Sequence, residues 1–283
     1  MALDPLISII MSTHNRPNLL QERSIPSVLR QTHQNWELLI RGDGADERTE
    51  SVINSFNDSR IKYKNLPRRQ YSNPREQWCW GGAQAQNKAL EDARGTYIAY
   101  LDDDDEFLPH HLNTLSKMLI TGDYNFVYGR VYKETTDGWT VLGEPFDKTR
   151  LMKTNYISNS AVMYDRAHLG HFRHDMKPRD EPGDWVLWKK MVTAGAHVGF
   201  TQEIVALNYA QTPLKRYDAE FKVRVEQIRT MQLQAELNTI RGSFIYRLMH
   251  SITTRIDTIF PDGTRRGRIR QKLIARLARK VSG

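Results

Sequence analysis

The sequence has very little cysteine, since Cys79 is the only one among its 283 residues. A single thiol cannot form an internal disulfide, and such usage is typical of a reducing compartment. Long apolar runs are also missing, and none approaches the roughly 20 residues that a membrane-spanning helix needs. Residues 1–5 lack the basic start and apolar core of a secretory signal. We therefore expect a cytoplasmic protein, either soluble or peripheral on the inner face of the membrane, with Cys79 packed as a small apolar side chain.

Most of the chain has no net positive charge, although the formal net charge of the whole chain is +8. Residues 241–283 carry 11 Lys and Arg against two Asp, whereas the residues before them carry 30 basic and 31 acidic side chains. If the protein binds an acidic partner, only this basic end has the net positive charge to attract it. Because the rest of the chain adds no positive surface, we expect no nucleic-acid partner.

Strand-like and helix-like segments alternate along the first hundred residues. Apolar strand-like stretches occur at 6–11, 36–41, 61–66 and 97–101, with helical stretches at 18–31, 47–56 and 82–94. This order predicts an α/β fold with a mostly parallel central sheet and right-handed crossovers. The later pattern indicates a hairpin at 126–134 and 139–142, a helix at 185–194, and a strand at 198–209 with a break near Gln202.

A run of four carboxylates, Asp102 to Asp105, directly follows the apolar stretch 97–101. Acids at the C-terminal end of a buried strand lie where open α/β sheets place their ligand crevices. Four adjacent negative charges repel one another unless a cation lies among them. Hard oxygen ligands suit Mg²⁺ or Mn²⁺, so the run predicts a divalent-metal site. The structural alternative is a solvated acidic turn before the helix that starts near Pro109.

Three other polar segments are expected at the ends of elements. They are residues 12–17 after the first strand, 41–44 after the second strand, and 180–185 at the start of a helix. Each alone is a common turn or helix start. Together they bring hydroxyls, amides and carboxylates to one end of one sheet, which the structural alternative does not explain.

These motifs occur in an order and spacing that is characteristic of one family. The residues concerned are Ile9 to Pro17, Ser27 to Thr32, Trp36 to Ile40, Asp43 to Ala45, Asn87 to Leu90, Ala93 to Asp105 and Gly183 to Trp188. Over residues 5–210 the sequence resembles a family 2 glycosyltransferase of the GT-A fold, which is nucleotide-sugar dependent and inverting. The resemblance implies a hexosyltransferase-type enzyme with a Rossmann-like sheet flanked by helices.

The resemblance also implies site residues. It assigns binding of the donor nucleotide to Thr13, Asn15, Arg16, Asp43, Asn87, Asp102 and Asp103. Its Asp-x-Asp motif places Asp102 near the ribose and Asp104 on the metal, Mn or Mg, and Asp103 or Asp105 remains an alternative ligand. Asp184 matches the general base, with Glu181 as the fallback and a plain helix cap as the structural alternative. Asn159 and Trp185 are expected to face the acceptor.

The sequence departs from the family pattern in places. Gly42 stands where the family often has a first acid, and Arg41 beside it either touches a phosphate or lies at the surface. Gln86 precedes Asn87 where the family commonly has Arg. Residues 208–210 contain no His to act as an extra metal ligand, which favours a weakly held metal that arrives with the donor.

We divide the chain into a catalytic domain, 1–212, and a helical basic C-terminal extension, 213–283. The catalytic domain comprises a nucleotide-binding half, 1–105, and an acceptor-binding half, 106–212. In the segment 265–281, apolar residues at helical spacing alternate with Lys and Arg. Such a helix either lies on an anionic membrane surface or packs on the catalytic domain or on the second subunit of a homodimer.

The expected function is transfer of a sugar from a nucleoside diphosphate donor, with UDP favoured, to a hydroxyl of a glycan or lipid-linked glycan. A nucleotidyltransferase-like enzyme with two metals is the alternative enzyme, but no basic P-loop-like element accompanies the acids. A catalytically inactive nucleotide-sugar-binding or membrane-tethered adaptor is the non-enzyme alternative. The presence of Asp104 and Asp184 argues against it.

Overall fold

The computed structural model describes residues 4–135, 138–176 and 181–210. Within these residues the strands are β1 (Ile7–Thr13), β2 (Trp36–Asp43), β3 (Ile61–Leu66), β4 (Tyr97–Tyr100), β5 (Glu106–Phe107), β6 (Phe126–Thr135), β7 (Gly138–Leu142), β8 (Val162–Asp165) and β9 (Val198–Asn208). The helices are α1 (Pro17–Leu19), α2 (Ile25–Leu29), α3 (Glu47–Ser55), α4 (Pro74–Trp80), α5 (Ala83–Asp92), α6 (His111–Thr121), α7 (Lys148–Leu151), α8 (Arg166–Leu169) and α9 (Gly183–Thr193).

The described strands form one sheet in the order β3-β2-β1-β4-β8-β6-β9-β5, with β7 paired to β6. β1 lies parallel between β2 and β4, so that Ile9 is opposite both Leu38 and Ala99. At the carboxyl end of β1, Thr13 is opposite Gly42 of β2. The loops after β1, β2 and β4 therefore leave the sheet at the same edge, where parallel strands form a ligand crevice.

Alternate residues of the buried strands supply two separate apolar cores. Ile9 and Met11 of β1 pack with side chains of α2, α3 and α6, whereas Ile10 of the same strand packs with side chains of α5 and α9. A strand with both faces covered must be apolar throughout, which explains the continuous apolar runs of β1 and β2. The helices on both faces hold the carboxyl-end loops over a rigid base.

The parallel half of the sheet follows the prediction, and the other half is mixed. β8, which the sequence pattern did not indicate, lies antiparallel between β4 and β6, and β9 pairs parallel to β6. The register between β6 and β9 shifts after Tyr128, which agrees with the predicted break near Gln202. The predicted 126–142 hairpin is present as β6 and β7.

The helix predicted at 18–31 is interrupted by a π-helical turn at Leu20–Ser24, where the N–H of Ile25 donates to the carbonyl of Leu20. Pro26 has no N–H to donate, so the regular α-helical pattern cannot run unbroken through this segment. Helix α4 was not predicted from the sequence.

None of the described helices is long and apolar enough to cross a membrane. The predicted extension 213–283 and its segment 265–281 lie outside the described residues. The division of the chain at 212 stays a prediction, as does the homodimer.

Candidate active site

The acid run alternates between two environments. Asp103 and Asp105 are buried, whereas Asp102 and Asp104 are partly exposed. The N–H of Asp105 donates to the carbonyl of Asp102 at 3.1 Å, which closes the loop into a turn. The turn therefore presents every second carboxylate to the crevice and turns the others inward.

Asp105 ties the acid run to the second half of the fold. Its carboxylate accepts hydrogen bonds from Ser160 Oγ at 2.6 Å, Asn208 Nδ2 at 2.8 Å and the Tyr209 N–H at 3.2 Å. A metal could use Asp105 as a ligand only by breaking these bonds. Asp105 therefore anchors the loop between β4 and the end of β9.

Asp103 and Asp104 are held by the loop after β1. Thr13 Oγ1 donates to Asp103 at 2.7 Å, and Arg16 Nη1 donates to Asp103 at 2.8 Å and to Asp104 at 2.6 Å. Burial raises the pKa of Asp103 to about 6, against the opposing charge of Arg16. Thr13 and Arg16, which were predicted to bind the donor nucleotide, thus contact the carboxylates of the acid run in this structure.

Asp102 lies among negative charges. Burial and the charges of Asp104 and Asp184 together raise its pKa to about 7, while a hydrogen bond from Asn159 opposes the shift. That bond, from Asn159 Nδ2, is 2.7 Å long. Burial is the larger cause of the shift, and the neighbouring carboxylates add to it because like charges disfavour ionisation.

Asp184 is the second residue of α9, and Pro182 occupies the N-cap position. Asp184 is therefore not the N-cap residue itself, but its carboxylate accepts from the first-turn N–H of Trp185 at 2.7 Å, so a helix-end role and the predicted general-base role both stay open. Burial raises the pKa of Asp184, and the Trp185 N–H and the Asn155 side chain oppose the shift. Glu181, the fallback base, pairs with Lys189 at 2.6 Å.

Asp43 lies at the carboxyl end of β2, under the segment that follows β3. Its carboxylate accepts from Arg68 Nη1 at 2.8 Å, the Arg69 N–H at 2.9 Å and the Tyr71 hydroxyl at 3.0 Å. Burial and the charge of Asp43 raise the pKa of Tyr71 to about 12. The hydroxyl is therefore a protonated donor at neutral pH.

Two predicted nucleotide-binding residues make other contacts. Asn15, whose φ is 51°, accepts from the Asp46 N–H at 2.8 Å and thereby joins the β1 and β2 loops. Asn87 forms a reciprocal pair with the backbone of His174, donating at 2.9 Å and accepting at 2.8 Å. Asn87 therefore fixes the segment before α9 to α5.

Trp185, a predicted acceptor-facing residue, is partly covered. Its indole N–H donates to the Leu151 carbonyl at 2.6 Å, and Lys189 Nζ lies 4.1 Å from the ring centroid. The ammonium group covers one aromatic face, so a sugar could stack only on the other face.

The expectation that Arg41 touches a phosphate or lies at the surface is wrong. Arg41 is 1% exposed, and its guanidinium donates to the carbonyls of Ile40 and Lys62 and to Asp92 at 2.7 Å. A buried guanidinium needs such acceptors, and these engage both of its Nη groups within the sheet and α5, while its Nε has no hydrogen-bond partner among the described residues. Cys79 is buried against Trp80, as predicted.

The side-chain donor groups at this edge of the sheet indicate whether a metal ion fits here. The described residues contain no group of three His, Cys, Asp or Glu side chains suited to a metal. Asp102 and Asp104 nevertheless place two partly exposed carboxylates at this edge, with Arg16 as the cation that pairs with Asp104. The buried Asn159 Oδ1 has no hydrogen-bond partner within the described chain. Mg²⁺ commonly binds through one or two carboxylates plus substrate phosphates. These residues therefore fit a divalent cation that takes its other ligands from a diphosphate and water.

The sequence reasoning missed Asn155, Ser160 and Arg68. Ser160 directly follows Asn159, which was expected to face the acceptor, but the sequence assigned no partner to the Ser160 hydroxyl. Arg68 follows β3 by two residues. The strand-end rule that located Asp43 would also have identified Arg68.

Solved structures share this fold. Staphylococcus aureus TarS 1-349 in complex with UDP-GlcNAc aligns with a TM-score of 0.58 at 14% identity, covering 73% of this chain and 59% of that one. The mannosyltransferase PcManGT from Pyrobaculum calidifontis, in complex with GDP-Man and Mn²⁺, aligns with a TM-score of 0.54 at 15% identity, covering 86% and 66%. This chain thus spans less than two thirds of each of these two neighbours, and the likeness shows the fold.

Several proteins with similar sequences have names that state an enzymatic activity. An Escherichia coli UDP-Glc:alpha-D-GlcNAc-diphosphoundecaprenol beta-1,3-glucosyltransferase, WfgD, is 32% identical over 188 residues, which are 65% of this chain and 69% of WfgD. The putative teichuronic acid biosynthesis glycosyltransferase TuaG of Bacillus subtilis is 28% identical over 67% of this chain and 75% of TuaG. Residues 8–173 match the family described as Glycosyl transferase family 2. The chain therefore belongs to glycosyl transferase family 2 and has the GT-A fold.

Proposed function

We propose that this protein is an inverting glycosyltransferase that moves a sugar from a nucleoside diphosphate donor to a hydroxyl of a lipid-linked glycan. The observation that carries the proposal is the grouping of Asp102, Asp104 and Asp184, since the charges of the last two raise the pKa of the first. Such a group combines negative charge suited to a cation with a partly buried carboxylate, Asp184, that is suited to accept a proton.

A UDP-sugar is the donor that we favour. WfgD is named as a UDP-Glc enzyme, and TarS was solved with UDP-GlcNAc. Asp43, at the end of β2, has a carboxylate that can accept a hydrogen bond from the N–H of uracil. A uracil bound there would have to displace one of the present donors, Arg68 or Tyr71, from that carboxylate.

Asp104 and Asp102 would hold a Mn²⁺ or Mg²⁺ ion together with the donor diphosphate. When bound, the ion neutralises the charge that develops on the departing diphosphate. Thr13 keeps Asp103 turned inward through its 2.7 Å hydrogen bond, and Asp105 anchors the loop. These two contacts preserve the direction of the Asp102 and Asp104 side chains.

Asp184 is proposed as the general base. It takes the proton from the acceptor hydroxyl while that oxygen forms a bond to the anomeric carbon and the bond from this carbon to the diphosphate oxygen breaks. Single displacement inverts the anomeric configuration. Burial raises the pKa of Asp184, which makes the carboxylate a stronger base than an exposed Asp.

A lipid-linked acceptor is favoured by the names of the relatives, because WfgD acts on a diphosphoundecaprenol-linked sugar. The unpartnered Oδ1 of Asn159 can accept a hydrogen bond from an acceptor hydroxyl beside Asp102. The basic segment 265–281 would draw the enzyme to anionic lipids, at about 1 kcal/mol per cation near the surface.

Transfer from UDP-glucose to a diphosphoundecaprenol-linked GlcNAc acceptor, the substrates named for WfgD, tests the proposal. Asp184→Asn should lower kcat by about 10²–10⁴-fold because it removes the proton acceptor. The affinity for UDP should stay within about twofold. Glu181→Gln is the matched control, since it removes a neighbouring carboxylate that is engaged by Lys189. Equal losses in the two variants would count against Asp184 as the base.

A further inference from the structure

Arg16 already occupies the carboxylate that the proposed function assigns to the metal. A single nitrogen, Nη1, lies 2.8 Å from Asp103 Oδ1 and 2.6 Å from Asp104 Oδ2. The Arg16 side chain is 33% exposed, and that of Asp104 is 18% exposed. Charge-assisted bonds of this length are among the stronger hydrogen bonds in proteins. The Arg16 guanidinium and a divalent cation would therefore compete for the same carboxylate, Asp104.

The acid loop does not depend on Arg16 for its shape. Arg23 Nη1 donates to the Asp104 carbonyl at 2.6 Å, and its guanidinium lies 3.6 Å from the ring centroid of Tyr209. Thr13 holds the other oxygen of Asp103. Backbone and side-chain contacts thus fix the loop independently, so the guanidinium of Arg16 can leave without releasing it.

The backbone of Arg16 is also fixed, because it lies between β1 and Pro17, the first residue of α1. Its side chain, by contrast, is long, flexible and partly open to the crevice. Diphosphate oxygens are strong acceptors for a guanidinium, which binds them in a bidentate geometry. A bound diphosphate therefore offers Arg16 an alternative partner close to Asp104.

We propose that Arg16 is an exchangeable counter-cation that keeps divalent metal off Asp104 until a donor diphosphate draws its guanidinium away. The inference rests on the proposed function, since it requires a metal and a diphosphate at this edge. It makes binding of metal and nucleotide mutually dependent, and thermodynamic linkage requires that each raise the affinity of the other by the same factor.

Titration of the full chain with Mn²⁺, with free aqueous Mn²⁺ followed by electron paramagnetic resonance, tests this coupling with and without UDP. In the wild type we expect weak Mn²⁺ binding alone and at least tenfold tighter binding with UDP. Arg16→Gln should bind Mn²⁺ alone about tenfold more tightly than the wild type and should gain much less from UDP. Arg16→Lys, which keeps the positive charge, should bind Mn²⁺ alone as weakly as the wild type.

Arg30→Gln is the matched control for the loss of one positive charge. Arg30 pairs with Glu106 at 3.1 Å, one residue beyond the acid run, and does not contact Asp103 or Asp104. This variant should show the wild-type gain with UDP. Equal Mn²⁺ affinity of wild type and Arg16→Gln without UDP, in protein that unfolds at the wild-type temperature, would overturn the inference alone. Absence of Mn²⁺ binding to the wild type even with UDP would overturn the proposed donor site.

Discussion

Replacing Asp102 by Asn should stabilise the donor-free protein at pH 8. Asp102 lies beside Asp104 and Asp184, and its pKa is raised from 3.8 to about 7. An acid whose pKa is higher in the folded state binds its proton more tightly there, so wild-type stability falls as the pH rises from about 4 to about 7. Asn removes the charge and keeps the shape, and its Oδ1 can still accept from Asn159.

The magnitude follows from the size of the shift. A change of about three pKa units corresponds to about 4 kcal/mol at 1.36 kcal/mol per unit. Asp102 is partly exposed at the crevice, where water screens the repulsion, so we expect about 1–2 kcal/mol. For a chain of this size that gain raises the unfolding midpoint by about 2–8 °C.

Differential scanning calorimetry at pH 8 and at pH 5 measures the effect. Asp102→Asn should raise the midpoint at pH 8 and raise it by only about a third as much at pH 5, because at pH 5 the wild type has lost only the part of its stability that falls between about pH 4 and pH 5. Glu37→Gln is the control of opposite sign, because hydrogen bonds from Lys62, Arg94 and Ser8 lower the pKa of Glu37 to about 2 despite its burial. That variant should lower the midpoint at pH 8. A lower midpoint for Asp102→Asn at pH 8 would refute the reasoning.

Three further outcomes are expected. Arg41→Met should cost about 2–3 kcal/mol of stability in urea unfolding, because it removes the buried hydrogen bonds to two carbonyls and Asp92, while the Kd for UDP stays within twofold. Asn87→Ala should lower the free energy of unfolding by about 1–3 kcal/mol, because it removes two hydrogen bonds to the His174 backbone. The Kd for UDP should again stay within twofold, and a tenfold higher Kd would support the predicted nucleotide-binding role of Asn87. The full chain should cosediment with vesicles that contain phosphatidylglycerol and not with neutral phosphatidylcholine vesicles, and removal of 265–281 should abolish this binding.

The apolar strand patterns in the sequence predicted most of the strands in the first half of the fold. The continuous apolar runs of β1 and β2 are predictable because both faces of the sheet are covered, and β3 was predicted with its observed bounds at 61–66. β8 has only four residues, and its place between β4 and β6 depends on long-range pairing that a local pattern does not contain.

The candidate site was predictable as a set of strand-end residues but not as a set of contacts. Thr13, Arg16 and Asp103 were all identified, yet the sequence could not reveal that they bind one another. Arg41 shows the same limit, since its partner Asp92 lies 51 residues away on α5. Whether a polar residue faces a ligand or another protein group depends on such distant partners.

Thermal unfolding of the wild type with UDP, GDP, dTDP and CMP, each with and without Mn²⁺, tests the central claim that this edge of the sheet binds a nucleotide diphosphate with a metal. A ligand at 100 times its Kd should stabilise the folded protein by about 2.7 kcal/mol. The account predicts a clear rise in the midpoint with UDP and Mn²⁺ together, and little with either alone. No rise with any nucleotide, with or without Mn²⁺, would contradict it.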